Sequence, residues 1–131
     1  MTNSKQNLQK LFYRACQKGM LKLVIKCLEH GADLAADDNL AIKWASHNGH
    51  AAVVKLLIKH GTDPTANNNF AIKLASNNGH AAVVKLLLEH GADPTVNNNR
   101  AIKWASENGH IDVVEILEKH LTEQKLQHNI R

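Results

Sequence analysis

The chain has 131 residues, 44% of them hydrophobic but only 4% aromatic, so it can form one modest unit whose core is built from small aliphatic side chains in thin layers. The longest apolar runs, such as "AAVV" and "LLI", are interrupted by lysines, which excludes a membrane-spanning stretch, and nothing at the N-terminus reads as a secretory signal. A net charge of +4 spread along the chain is a weak pointer to nucleic acid, and the expectation is a soluble, cytoplasmic, monomeric protein.

In chain order, "SKQNLQKLFYRACQKG" spaces Leu8, Leu11, Phe12, Ala15 and Cys16 along one face of an amphipathic helix, with Asn3 or Ser4 available as its N-cap. A second short amphipathic run, "LKLVIKCLEHGAD", follows. Cys16 and Cys27 fall in these two segments where later stretches carry Ser46 and Leu57, which predicts reduced core thiols and no disulfide.

From Asp38 the sequence repeats itself. Residues 38–67, "DNLAIKWASHNGHAAVVKLLIKHGTDPTAN", and 68–97, "NNFAIKLASNNGHAAVVKLLLEHGADPTVN", differ at 8 of 30 positions, and "NNRAIKWASENGHIDVVEILEKHL" begins a further copy at Asn98. The first segment keeps the same register through Ala15, Gly19, Val24, Leu28, His30, Gly31 and Asp33. The chain is thus read as one domain, 1–131, of units at about 8–37, 38–67, 68–97 and 98–127.

Each unit resolves into two short helices. "AIKWASHN" puts Ile42, Ala45 and Ser46 on one face; "AAVVKLLIK" does the same for Val53, Val54, Leu57 and Ile58. Gly49, Gly79 and Gly109 are placed as left-handed residues ending the first helix, and Gly61 and Gly91 as the ends of the second, before Pro64 and Pro94. Helices of this length are unstable alone because nucleation is costly. Each unit must therefore borrow apolar surface from its neighbours, and repetition supplies the core. In the last unit Glu118 replaces Ile58 and Leu88, and Leu121 replaces Gly61 and Gly91, so the second helix is expected to run on through "LTEQKLQ". The first and last units are expected to cap a complete small array.

The helix, Gly-His, helix, "GAD" unit resembles the ankyrin repeat over residues 8–120, most closely in "ASNNGHAAVVKLLLEHGADP". The resemblance implies an all-α solenoid of four stacked helix-turn-helix repeats with shortened hairpin loops. It departs from the family where T-P-L-H-x-A is replaced by "LAIKWA", "FAIKLA" and "RAIKWA". Leu40, Phe70 and Arg100 then stand for the threonine, and Lys43, Lys73 and Lys103 for the histidine, so the family's Thr–His hydrogen bond is absent. The thirty-residue period leaves room only for stubby fingers. This form of the repeat resembles those of giant viruses of amoebae and of intracellular bacteria, for which the location would be the host cytoplasm.

The family resemblance implies binding of a partner protein through the concave face. The variable position of the inner helix is Trp44, Leu74 and Trp104, and the expected contact set adds His47, Asn48, Phe70, Asn77, Asn78, Arg100, Glu107 and Asn108. Lys43, Lys73 and Lys103 form a column that could meet an acidic ligand or nucleic acid, or could simply cover apolar surface. The near-identity of units two and three keeps a third reading open, an engineered, consensus-like scaffold with no natural ligand. His30, His60, His90 and His120 recur every thirty residues, but stacked helices about 8–10 Å apart cannot bring four of them within roughly 2.1 Å of one ion. His50, His80 and His110 are read as turn-stabilising, and the asparagine runs 67–69 and 97–99 as left-handed residues and Asx turns of the finger. No nucleophile–base pair, carboxylate dyad or phosphate loop suggests catalysis, and neither cofactor nor metal is expected.

Overall fold

Small residues set the spacing of this molecule. A computed structural model describes residues 4–130. Among them the chain forms α1 (Ser4–Lys18), α2 (Leu21–Glu29), α3 (Ala36–His47), α4 (Ala51–Lys59), α5 (Ala66–Asn77), α6 (Ala81–Glu89), α7 (Val96–Glu107) and α8 (Ile111–Ile130), with no strand. Consecutive helices pair, and the pairs stack. The odd-numbered helices form one layer and the even-numbered the other, and odd helices of successive pairs lie closer together than even ones. Their seams explain why. The odd layer buries Ala41, Ala45, Ala71, Ala75, Ala101 and Ala105, while the even layer buries Val53, Val54, Leu57, Val83, Val84 and Leu87. Alanine lets backbones approach and valine or leucine holds them apart, so the stack curves with the odd helices on its inner, concave side.

The turn inside each pair is a Schellman motif. Gly49 adopts φ +79°, its N–H bonds the Ser46 carbonyl, and the His50 N–H bonds the Ala45 carbonyl at 2.9 Å. Across the units, His50 Nε2 donates to the Gln17 carbonyl, His80 Nε2 to that of His47 and His110 Nε2 to that of Asn77, at 2.8 to 3.0 Å. These histidines therefore link a turn to the preceding pair, a larger role than steadying their own turn. A Cβ at Gly49 or Gly79 would come within 2.5 Å of the next unit's imidazole, so glycine is required there twice over. Met20 occupies the equivalent place in the first pair and carries no such donor.

The connections between pairs contain no hairpin. Asp33, Asp63 and Asp93 each make the Asx turn, accepting the N–H two residues on at 2.8 to 2.9 Å. Residues Asp37–Asn39, Asn67–Asn69 and Asn97–Asn99 then lie in the left-handed region, with φ between 54° and 63°, before the right-handed turns begin at Leu40, Phe70 and Arg100. The asparagine runs thus take the left-handed conformation expected of them, whereas the Asx turns belong to the preceding aspartates. Three left-handed residues in a row cost other L-amino acids about 1–2 kcal/mol each, and Asn and Asp are the side chains that visit this region most readily. Asn69 Oδ1 also accepts the Asp93 N–H at 2.8 Å, and Gln9 Oε1 does the same for Asp33 at 2.9 Å, tying those two connections to the odd-numbered helix of the preceding pair.

Phe12, Ala15 and Cys16 are buried as the first helix's spacing requires, but Leu11 is 40% exposed. Its equivalents Ala41, Ala71 and Ala101 face the preceding pair, and nothing among the described residues packs on that side of α1. Ser4 is already the first residue of α1, so it is not an N-cap, and Asn3 lies outside the described residues. Cys16 and Cys27 are free and buried, and desolvation pushes the Cys16 thiol up to about 12. α8 continues through "LTEQKLQ" to Ile130. Among the described residues no helix is long and apolar enough to cross a membrane.

Candidate functional site

On each odd helix one stripe at spacing i, i+3, i+4, i+7 looks away from the seam. It consists of Lys10, Tyr13, Arg14 and Gln17 on α1 and of Leu40, Lys43, Trp44 and His47 on α3. On α5 it is Phe70, Lys73, Leu74 and Asn77, and on α7 it is Arg100, Lys103, Trp104 and Glu107. The stripe and the alanine seam share the same helices, so seam packing fixes the position of every stripe residue.

Between α3 and α5 the stripe opens into a groove of about 270 Å³ lined by Leu40, Lys43, Trp44, His47, Phe70 and Leu74. Trp44 and Trp104 are each half-buried; Trp44 meets His47 edge-on with 6.2 Å between ring centroids. Where the family would have a threonine and a histidine, this chain sets cations on aromatic rings. Lys43 Nζ lies 5.1 Å and Lys73 Nζ 5.7 Å from the Phe70 centroid, and the Arg100 guanidinium lies 5.4 Å from that of Trp104. Lys73 Nζ also donates to Asn97 Oδ1 at 2.6 Å; burial, then repulsion from Arg100, lowers its pKa. Lys103 is exposed. In the first pair the lysine column gives way to Tyr13, whose hydroxyl donates to Asp37 Oδ2 at 2.6 Å; burial and then that bond push its pKa up to about 12.

The expected contact residues divide into two groups. Trp44, His47, Phe70 and Leu74 converge on the groove, and Arg100, Trp104 and Glu107 continue the stripe beyond it. Asn48, Asn78 and Asn108 are the same residue in the last three copies, and their amides knit neighbouring pairs. Asn48 donates to the Gln17 carbonyl, Asn78 to His47 Nδ1, and Asn108 to the Asn77 carbonyl and side chain. Asn77 is held from that side by Asn108 and His110. Leu40, Lys10 and Arg14 were missing from the expected set. The signal for Lys10 and Arg14 is present in the thirty-residue register of the first unit, which places them at the positions of Leu40 and Trp44.

A larger open trough of about 530 Å³ lies between the end of α8 and the connection into α7. It is lined by Thr95, Asn99, Leu121, Gln124, Lys125, His128 and Asn129, with no aromatic side chain among them. His30, His60 and His90 each bond the carbonyl four residues back in their own helix, through Nδ1. Among the described residues no three His, Cys, Asp or Glu side chains gather as a metal ion would require.

Among curated proteins none matches this sequence. The family described as "Ankyrin repeats (3 copies)" matches at residues 2–68 and again at 64–128, nearly the whole chain. With paired helices, Schellman Gly-His turns and a curved stack of alanine-seamed inner helices all running through those residues, the chain belongs to the ankyrin repeat family.

Proposed function

We propose that this protein binds a partner protein through its concave face, with the groove between α3 and α5 at the centre of the contact. Ankyrin repeats in general are protein–protein interaction modules on a non-catalytic fold. The observation that carries the reading is the open apolar groove of Leu40, Trp44, Phe70 and Leu74, formed at positions where otherwise near-identical units differ. A repeat array held together by its seam has no architectural use for tryptophan on the opposite side of the same helix. The units 8–37 and 98–127 serve in this reading as the caps of one domain, and the working form is a cytoplasmic monomer.

The test is the double change Trp44→Ala with Trp104→Ala. Tryptophans buried at the centre of an interface commonly carry more than about 2 kcal/mol of its binding energy. A partner retrieved by the unmodified chain should be bound at least tenfold more weakly by the variant, while the unfolding midpoint moves little. Ready unfolding of the variant with normal binding by its folded fraction would make the tryptophans core residues and remove the site from this face.

A further inference from the structure

We infer that the segment recognised by the concave face is an acidic stretch of a partner protein carrying one large aliphatic or aromatic side chain, which seats in the α3/α5 groove. The inference rests on the docking reading above and adds the chemistry of the occupant. Its first support is the charge of the stripe. Lys10, Arg14, Lys43, Lys73, Arg100 and Lys103 stand in it, and Glu107 is its only carboxylate. Asp37 and Asp38 lie in the left-handed start of α3, and Asp37 is engaged by Tyr13. Charges of one sign on a surface select partners of the other, because like charges brought together cost several kcal/mol.

The second support is how apolar and charged groups are arranged. The apolar residues Leu40, Trp44, Phe70 and Leu74 occupy the middle units, and cations lie on both sides, from Lys10 and Arg14 on α1 to Arg100 and Lys103 on α7. A groove of about 270 Å³ is smaller than the roughly 300–1,000 Å³ of pockets that enclose whole small molecules. It is the size of an anchor, with carboxylates before and after that anchor reaching the cations.

A nucleic acid would also satisfy the cations, but it would need free ring faces for its bases. Here Lys43 and Lys73 lie over the Phe70 ring and Arg100 over that of Trp104. That leaves Trp44, whose ring meets His47 edge-on and shares the groove with Leu40 and Leu74, side chains that offer nothing to a base edge. A polypeptide supplies both the apolar side chain and the flanking carboxylates.

The experiment is selection of short random peptides displayed on phage against the full chain, with the winners remade as labelled synthetic peptides and titrated by fluorescence polarisation. The expected winners carry Asp or Glu on both sides of a Leu, Phe or Trp, and their affinity falls as salt rises. Lys43→Glu with Lys103→Glu should weaken them by more than about tenfold, and peptides with Lys in place of Glu should recover on that variant. These two lysines are chosen because Lys73 is tied to Asn97, and circular dichroism melting shows whether each variant is folded. Winners that lose affinity with Trp44→Ala but show no acidic bias would overturn the acidic partner and leave docking on this face standing. Winners indifferent to both Trp44→Ala and the lysine reversal would overturn the face as well. Failure to enrich any peptide, or tighter binding of a mixed-sequence single-stranded oligonucleotide than of the best peptide, would overturn the inference in favour of a different class of ligand.

Discussion

The inner helices present two faces that have been held to different standards. On the seam, Ala41, Ile42, Ala45 and Ser46 of α3 recur as Ala71, Ile72, Ala75 and Ser76 of α5, all buried. On the stripe of the same helices, Leu40, Trp44 and His47 become Phe70, Leu74 and Asn77, and then Arg100, Trp104 and Glu107. A seam residue must fit the unit before and the unit after, so both neighbours restrict it. A stripe residue is never fully buried and meets its neighbours through side-chain contacts such as Tyr13 to Asp37 and Lys73 to Asn97, so its identity is less restricted. Variation between units therefore marks where the architecture makes the weaker demand, and that is where the groove lies.

The comparison breaks most easily from the seam side. Leu87 is fully buried beside Val83 and Val84, and Leu87→Ala should cost about 2–5 kcal/mol in denaturant melts, because neighbouring units refill the cavity only in part. A stripe change of similar size, Leu74→Ala, should cost distinctly less. Equal costs would mean that the two faces are not distinct.

Glycines sharpen the contrast at a smaller scale. Gly79 has φ +77° and a Cβ there would meet the His110 ring, whereas Gly91 has φ +93° and open space around the same position. Gly79→Ala should lose more than about 2 kcal/mol, since backbone strain adds to displacement of the His110 to Asn77 bond, and Gly91→Ala about 1–2 kcal/mol from strain alone.

Smaller again is the effect of a buried hydroxyl. Ser46 Oγ and Ser76 Oγ are fully buried without a hydrogen-bond partner, and the first unit has Cys16 at the same place. Ser76→Ala should therefore leave thermal stability unchanged or raise it by up to about 1 kcal/mol, because the alanine avoids the cost of desolvating an unsatisfied group.

The least effect is expected from acid. Asp63 and Asp93 have pKa values lowered first by the hydroxyls of Thr65 and Thr95, at 2.7 and 2.6 Å, and then by the backbone N–H of the same residues. A lowered folded value means stability that is fully present above the unfolded aspartate pKa of about 3.9 and is lost as pH falls through the folded one. Thr65→Ala with Thr95→Ala should lower the melting midpoint slightly at neutrality, and the difference from the unmodified chain should shrink as pH falls through that window.

Much of this was written in the sequence. The thirty-residue period, the helix pairs, the left-handed glycines, the run-on last helix and the buried faces of Phe12, Ile42 and Leu57 follow from local rules of spacing and backbone conformation that need no knowledge of neighbours. Tertiary structure alone decided what depends on one unit meeting the next. It turned His50, His80 and His110 into links between units, because the carbonyls they find lie thirty-three residues back in the chain. It left Leu11 40% exposed and tied the amides of Asn48, Asn78 and Asn108 to the preceding pair. It also brought Leu40 to Phe70 and Leu74 as the walls of one groove, since a spacing within a helix shows which side a residue faces and only the stacking of two helices shows what stands opposite.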